Sequence, residues 1–404
     1  MTSTPKNMPL VARGDTLALG CLNCAFLGNC GGLYVKEAVW DCFSNCGPDC
    51  SNGKCDYTCP CKSDFISKCN EVGGLTVTLK RKLLAPSIDN MPAYIPMIYH
   101  GKRRKMPLES PMVALSLYNV LGKQRKGYGI KFQDAETLRR SFCLHENTRI
   151  LLVSVGYDCL LEDYWAYRRY LDLPSQLAQL DFVGVTAPNF SFFLDAPRTH
   201  VLWNRRRILT VAEELSRNGI GVILHLNASS RNDWDFWARL LGEQRNIRYI
   251  SKEFCTGLSR LEAGRRAIED LSKLQDTVGY QLHPIAIGAA RFIPDLKRHF
   301  GNFTIVDSVP FMRTVKRREF VKRSGRHPAW IKHTTERDEP LDALLAHNIN
   351  SYQNWLLSRM AVNECEQQQS EHDEESYERH ADYISEGGQL LLPHMGIRPA
   401  TVVR

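Results

Sequence analysis

The feature that most constrains this fold is a regular alternation of short apolar runs and helical patterns from Arg149 onward. The apolar runs read RILLVSVG, LDFVGVTAPNFSFFLD, GVILHLN and IRYISKEF, followed by His283–Gly288 and Phe303–Val306. Strands that alternate with helices at this spacing predict a parallel α/β architecture, either a (β/α) barrel or an open sheet. No GxGxxG or Walker-type glycine loop follows any of these runs, which argues against a dinucleotide-binding or P-loop protein.

Polar side chains stand at or just after the ends of the predicted strands. They are Asp158, Asn189, His225, Asn227, Glu253 and Asp307. One such residue alone is more often a helix cap or a hydrogen-bonded core group. Together they favour a TIM-like barrel, in which the carboxyl ends of all strands converge on one mouth and build the active site.

The stretch from residue 282 to 319 combines one βαβ unit with a group of charges. Its second strand ends on Asp307, and the cations Arg313, Lys316, Arg317 and Arg318 follow. A carboxylate at a strand end with cations beyond it is a candidate site. An aspartate that caps the next helix is the competing explanation.

Charge is distributed unevenly along the 404 residues, although the net charge is only +8. Basic runs occur at Lys102–Lys105, Lys123–Lys126, Arg205–Arg207 and Arg313–Arg326, whereas Glu364–Glu378 is acidic. Such runs are usually solvated surface, but several of them together favour a polyanionic partner, and we predict DNA or RNA. Apolar runs long enough for a membrane span and a secretory signal are both absent from the sequence, which predicts a cytoplasmic protein with no membrane partner.

Ten of the fourteen cysteines lie in one glycine-rich segment near the amino terminus. They are Cys21, Cys24, Cys30, Cys42, Cys46, Cys50, Cys55, Cys59, Cys61 and Cys69. In a reducing compartment this density predicts metal binding through thiolates, and a disulfide-stapled domain is the less favoured alternative. The irregular spacing favours one or two four-iron, four-sulfur clusters over zinc, which remains the alternative cofactor.

These patterns divide the chain into four parts. Residues 1–74 are predicted to form the cysteine-rich metal domain, and residues 75–148 a proline-rich connector with a basic patch. Residues 149–335 are assigned to the barrel, and residues 336–404 to a helix followed by an acidic tail.

The segments IAIGAARFIPDLKRHF and TIVDSVPFMRTVKRRE resemble the end of the barrel in tRNA-guanine transglycosylases and their DNA-modifying relatives. The segments LDFVGVTAPNFSFFLD and GVILHLN are compatible with the middle of the same barrel. The segment PNFSFFLDAPR also resembles an uncharacterised domain family of phages and bacteria. The chain departs from the transglycosylases in lacking their glycine pair, where Ser251–Phe254 stand, and their downstream zinc site of three cysteines and a histidine.

The resemblance implies a base-exchange reaction on DNA or RNA. Asp307 would attack the anomeric carbon of a nucleotide, and Asp158 or Glu253 would handle the proton on the base. The resemblance also implies base contacts from Asn189, Phe190, His225, Asn227 and Arg291, and phosphate contacts from Arg313, Lys316, Arg317 and Arg318.

Two other functions are compatible with the same residues. One is a non-catalytic nucleic-acid-binding subunit of a larger assembly with protein partners, for which the barrel is only a scaffold. The other is an iron–sulfur redox or radical enzyme, in which the cluster is reactive and Asp307 is incidental.

Overall fold

A computed structural model describes residues 56–361, apart from residues 61, 77, 78, 80, 125, 126, 157, 193–195, 323–327 and 337. Nearer the amino terminus it describes only residues 16, 17, 23, 25, 27, 34 and 35, where Thr16–Leu17 pairs with Tyr34–Val35. Most of the predicted metal domain therefore lies outside the described residues. No helix in the described part of the chain is both long and apolar enough to cross a membrane.

The centre of the molecule is a closed barrel of eight strands, all of whose pairings are parallel. In chain order the strands are β1 (Tyr94–Ile98), β2 (Met112–Ser116), β3 (Arg149–Val153), β4 (Phe182–Thr186), β5 (Val222–His225), β6 (Tyr249–Glu253), β7 (His283–Ile287) and β8 (Thr304–Asp307). The predicted TIM-like barrel is thus confirmed.

The barrel begins earlier than the sequence indicates, because β1 and β2 lie in the stretch assigned to a connector. Pro96 and the prolines around β1 made that stretch read as irregular, yet Pro96 sits within the strand, opposite Asp307 of β8. The run after Pro111, assigned to the same connector, forms β2 and becomes helical at Leu117.

Helices surround the barrel in the order expected for βα units. They are α1 (Phe65–Glu71), α2 (Leu117–Val120), α3 (Ala135–Phe142), α4 (Asp158–Tyr167), α5 (Leu173–Ala178), α6 (Arg198–Arg217), α7 (Arg231–Glu243), α8 (Leu261–Val278), α9 (Ile293–His299), α10 (Val309–Val315) and α11 (Asp342–Ala361). Two antiparallel hairpins are added to the barrel, Leu121–Gln124 with Gly127–Ile130 and Arg318–Val321 with Ala329–Lys332.

The segment that enters β1 runs along the amino ends of several strands. The Val222 N–H donates to the Leu84 carbonyl, and the Thr304 hydroxyl donates to the Pro92 carbonyl. Gly221 leaves room for Pro86, since a Cβ there would lie 2.4 Å from the Pro86 Cα. The amino end of the barrel is therefore packed with chain, and the carboxyl ends of the strands remain the place for a site.

Register and packing show which strand residues face the lumen. Tyr94 contacts Tyr352 of α11, a helix outside the barrel, so Tyr94 points outward. Tyr94 pairs with Ile305, and because side chains alternate along a strand, Ile305 and Asp307 also face the helix layer. Val306 then faces the lumen, and pairing carries the same orientation through Ile287 to Glu253.

Residues 57–72 pack against α6. The Thr58 N–H donates to Nδ1 of His200 at 3.1 Å, and the Trp203 indole N–H donates to the Lys68 carbonyl at 3.1 Å. The Arg206 guanidinium donates to the Val72 carbonyl at 2.8 Å. The carboxyl-terminal end of the cysteine-rich segment is therefore attached to the barrel domain.

Candidate active site

Glu253 is the lumen-facing carboxyl at the end of β6. Its Oε1 accepts the Cys255 N–H at 3.1 Å, and its Oε2 accepts the Thr256 hydroxyl at 3.3 Å and the Asn189 amide at 3.4 Å. Burial raises the pKa of Glu253, while these hydrogen bonds and the charge of Lys252 act in the opposite direction. A carboxyl with a raised pKa at a barrel mouth is suited to accept and donate protons.

Two asparagine side chains connect Glu253 to the ends of β4 and β5. The Asn227 amide donates to Oδ1 of Asn189 at 2.6 Å and to the Phe190 carbonyl at 3.0 Å. Nζ of Lys252 donates to Oδ1 of Asn227 at 3.2 Å and to the Leu226 carbonyl at 2.7 Å. The structure therefore brings together Glu253, Asn189 and Asn227, which lie on separate strands in the sequence.

Asp307 ends β8 and is buried at the rim of the barrel, on the side of α11. Its Oδ1 accepts the Val309 N–H at 2.8 Å, and its Oδ2 accepts the Tyr352 hydroxyl at 2.7 Å. Burial raises the pKa of Asp307, and both hydrogen bonds act in the opposite direction. Asp307 thus accepts the first N–H of α10, as the competing explanation suggests, although Ser308 occupies the N-cap position. Its role as nucleophile stays a prediction.

Cys255 lies in the loop after β6, against the end of β7, where its Sγ is 3.7 Å from the Ile287 carbonyl oxygen. Burial raises the pKa of its thiol well above the ordinary value, and the charges of Glu253 and Asp307 add to the effect, although the residue as a whole is exposed. A Cβ on Gly288 would lie 2.3 Å from the Cys255 Sγ, so the thiol occupies space that this glycine leaves. Glu253 faces the lumen and Asp307 faces the helix layer, so the two carboxyl groups lie at the same end of the barrel on opposite faces of its wall, separated by β7.

His225 lies deeper in the lumen than Glu253. Its Nδ1 is 3.1 Å from the Ser251 hydroxyl, and its Nε2 has no hydrogen-bond partner in the described part of the chain. Burial lowers the pKa of His225 well below its usual value, and the charge of Lys252 lowers it further, so the imidazole is neutral. A direct base contact by His225 stays a prediction.

Three other predicted site residues lie outside this cluster. Asp158 is exposed at the start of α4, where its Oδ1 accepts the Ser191 hydroxyl at 3.1 Å. The ring of Phe190 is buried, with the Arg207 guanidinium 3.7 Å from its centroid, which gives it a packing role in the core. Arg291 follows β7 and donates to the Ser259 carbonyl at 2.9 Å.

The four predicted phosphate-binding residues lie around the end of α10. Lys316 and Arg318 are exposed, whereas Arg313 and Arg317 are half-buried. The Arg313 guanidinium is 5.9 Å from the Trp330 ring centroid, and Arg318 donates to the Trp330 carbonyl at 3.2 Å. Arg313 lies in the second half of α10, and the other three cations follow the seven residues of that helix, about 10 Å long, so they form an extension of the mouth rather than part of it.

Of the ten predicted metal-binding cysteines, the structure describes only Cys59, which is buried, and Cys69. The other eight lie outside the described residues. Within the described ranges, no group of three or more His, Cys, Asp and Glu side chains could hold a metal ion. The iron–sulfur and zinc assignments stay predictions.

Sequence reasoning did not identify Lys252, Cys255, Gly288 or Tyr352 as parts of this region. Lys252 directly precedes Glu253 and Cys255 follows it by two residues, so closeness in sequence to a predicted site residue could have identified both. Nothing in the local sequence associates Tyr352 with Asp307, because 45 residues separate them.

The chain matches no model of a known protein family and no curated protein. A solved structure from Burkholderia cenocepacia J2315, described as a HpcH/Hpal aldolase/citrate lyase family protein, is similar over 62% of this chain and 96% of its own. The identity is 12% and the TM-score 0.28. A similarity at this level does not indicate a shared activity.

Proposed function

We propose that this chain is a nucleic-acid base-modifying enzyme that exchanges a base by glycosyl transfer at the mouth of its barrel. The observation that most supports the proposal is the pair of carboxyl groups at the ends of β6 and β8, half-buried Glu253 and buried Asp307, whose charges both raise the pKa of the Cys255 thiol. Enzymes that cleave glycosidic bonds commonly use two carboxyl groups with different roles that flank the bond. Similarity of the 282–319 segment to transglycosylases supports the same reaction.

Asp307 is assigned as the nucleophile. Burial raises the pKa of Asp307, and its two hydrogen bonds, from Val309 and Tyr352, oppose that rise and favour the ionised form that attack requires. The carboxylate oxygen forms a bond to the anomeric carbon while the bond from that carbon to the base nitrogen breaks, and the bonding electrons leave with the base. The product of this step is a covalent glycosyl-enzyme.

Glu253 is assigned as the acid and base. In its protonated form, which its raised pKa favours, it donates a proton to the departing base. The resulting carboxylate then takes the N–H proton of the incoming base as that nitrogen attacks the anomeric carbon and releases Asp307. Protons and electrons balance over the two steps, and the enzyme returns to its starting state.

Asn189 and Asn227 are assigned to base recognition. Amide groups present both a donor and an acceptor, the combination that reads a base edge. The contacts of Asn227 with Lys252 and Phe190 hold these amides in one orientation beside Glu253. A base inside a duplex would have to be flipped out to reach them, and the cations from Arg313 to Arg318 would then contact flanking phosphates.

The first test is mass spectrometry of nucleosides from DNA and RNA of cells that express the wild-type chain, Glu253→Gln, Asp307→Asn or Glu269→Gln, with neighbouring genes present. Glu269 is an exposed carboxylate on α8 and serves as the matched control. We expect a modified nucleoside with the wild type and the control and its loss in both mouth variants. Nucleic acid covalently attached to the protein should appear only where Asp307 is intact.

Identical nucleoside profiles from all four folded proteins would contradict base exchange. Nucleic-acid binding that survives Asp307→Asn but disappears when Lys316 and Arg318 are neutralised would then favour the non-catalytic subunit. A coloured protein whose activity depends on a reductant would favour the redox enzyme.

A further inference from the structure

We propose that Tyr352 is a positioning residue for Asp307, so that α11, which follows the barrel, belongs to the active site. This inference rests on the proposed function, because it takes Asp307 as the nucleophile. The observation behind it is the hydrogen bond of 2.7 Å from the Tyr352 hydroxyl to Oδ2 of Asp307. Tyr352 is 5% exposed and Asp307 is 7% exposed, so water does not compete for the bond.

Tyr352 is held in one place by an aromatic cluster. Its ring centroid lies 5.7 Å from that of Tyr94 on β1, 5.8 Å from that of Phe320 and 5.3 Å from that of Trp355. Aromatic pairs at these separations fix ring orientation. The hydroxyl is therefore directed at Asp307 before any substrate binds.

The helix that carries Tyr352 is fixed at a second point. Asn348 accepts the Phe320 N–H at 2.8 Å through its Oδ1 and donates to the Thr314 hydroxyl at 2.8 Å through its Nδ2. These bonds join α11 to both α10 and the hairpin at Arg318–Val321. The helix is thus bonded to the same α10 whose first N–H donates to Asp307, so the Tyr352 hydroxyl and the Val309 N–H keep fixed positions on the carboxylate.

The contact acts on the charge state of Asp307 as well as on its orientation. Burial makes the ionised carboxylate unfavourable, and the Tyr352 hydroxyl offsets part of that cost because it donates to the charged form. Two other titratable groups face Asp307, Tyr94 from β1 and Cys255 from the loop after β6, and the pKa of each is raised. The Tyr94 hydroxyl has no hydrogen-bond partner among the described residues, and the Cys255 thiol donates to the Ile287 carbonyl at 3.7 Å, so neither replaces the Tyr352 bond.

Tyr94 provides a matched control. It belongs to the same buried cluster, but its hydroxyl has no hydrogen-bond partner among the described residues. Tyr94→Phe and Tyr352→Phe each remove one oxygen from a buried tyrosine beside Asp307, and only the second removes a bond to the carboxylate.

The test measures base exchange by the full-length protein as a function of pH. We expect Tyr352→Phe to lower kcat about ten-fold with little change in KM, the effect of losing one hydrogen bond to a charged group. The acidic limb of its pH profile should move to higher pH, because the carboxylate loses a donor that favours ionisation. Tyr94→Phe should keep the wild-type limb.

An active Tyr352→Phe with unchanged kcat and an unchanged acidic limb would overturn the inference and leave the proposed function standing. Equal shifts in both tyrosine variants would also overturn it, since they would report packing rather than the bond. A wild-type protein that exchanges no base on DNA or RNA would overturn the proposed function, and with it the catalytic role of the contact.

Discussion

At the scale of single residues, the mouth depends on Gly288. Its φ of 72° lies in the left-handed region, and a Cβ there would lie 2.3 Å from the Cys255 Sγ. Gly288→Ala should therefore lower the free energy of unfolding by about 2–4 kcal/mol, of which about 1 kcal/mol comes from the backbone and the rest from the clash. Urea unfolding followed by circular dichroism measures the change.

Two further variants separate these contributions. Gly279 has a φ of 70° and nothing within 4 Å of a built Cβ, so Gly279→Ala should show the backbone cost alone. Combining Cys255→Ala with Gly288→Ala removes the thiol. The decrease in the free energy of unfolding should then be no larger than in Gly279→Ala. A double variant as unstable as Gly288→Ala alone would show that the thiol is not what the glycine accommodates.

Some residues of the candidate site could be predicted from the sequence alone, and others could not. Glu253, Asn189 and Asn227 were identifiable because polar residues at the ends of apolar runs meet at one mouth in any parallel barrel. Which face each takes depends on register, and for that reason the outward direction of Asp307 was not foreseen. Phe190 looked suited to stacking, but its ring packs against Arg207, whose partner Glu162 is also remote in sequence.

At the scale of elements, α6 and α7 are joined through a buried carboxylate. Asp233 is fully buried and accepts two bonds from Arg198, at 2.8 and 2.6 Å, and one from Arg205 at 3.0 Å. It also accepts the N–H groups of Ser229 and Ser230, which fixes the start of α7. Asp233→Asn should lower the free energy of unfolding by about 3–5 kcal/mol, because it removes the buried carboxylate charge that both guanidinium groups contact.

The effect of pH on this cluster has a definite sign. Burial raises the pKa of Asp233, but Arg198 and Arg205 outweigh it and the net shift is downward. The stabilisation is therefore present above the ordinary carboxyl pKa and is lost as the pH falls through the lowered value. Asp181→Asn is the control, since its 2.8 Å pair with Arg139 involves an exposed carboxylate and should contribute under about 1 kcal/mol. Equal destabilisation by the two variants in thermal unfolding would contradict this account.

The strands of the barrel also differ in how easily they can be recognised from the sequence. The six later strands were recognisable because each is a short apolar run bounded by polar residues. The strands β1 and β2 were not, since Pro96 and Pro111 are local signals for irregular chain. In the structure β1 pairs with β8 and β2 pairs with β3, and these pairings outweigh the local preference for irregular chain. A short segment of sequence does not show which strands will pair with it.

At the scale of the whole molecule, we expect the cysteine-rich segment and the barrel to have separate sources of stability. The barrel closes through its own eight strands, whereas residues 57–72 are attached to it by backbone hydrogen bonds of Thr58, Lys68 and Val72 and by side chains such as Tyr57, whose ring lies 4.9 Å from that of His200. A metal centre would supply the folding energy of the segment. Loss of metal should therefore release the segment and leave the barrel folded.

The measurement combines metal analysis with hydrogen exchange. Protein prepared without oxygen should contain iron and sulfide, and Cys59→Ser or chelation should lower the metal content. In the metal-depleted protein we expect faster exchange in residues 56–74 and in the α6 turn around Trp203, because the bond from its indole to the Lys68 carbonyl is lost. Exchange in the barrel strands and the melting temperature of the barrel should stay the same.

Cys255→Ser, outside the segment, is the control and should keep the wild-type metal content. Zinc without iron or sulfide would select the alternative cofactor, and equal metal content in Cys59→Ser, Cys255→Ser and wild type would exclude Cys59 as a ligand. Unfolding of the whole barrel on metal removal would show that the two parts share one folding unit.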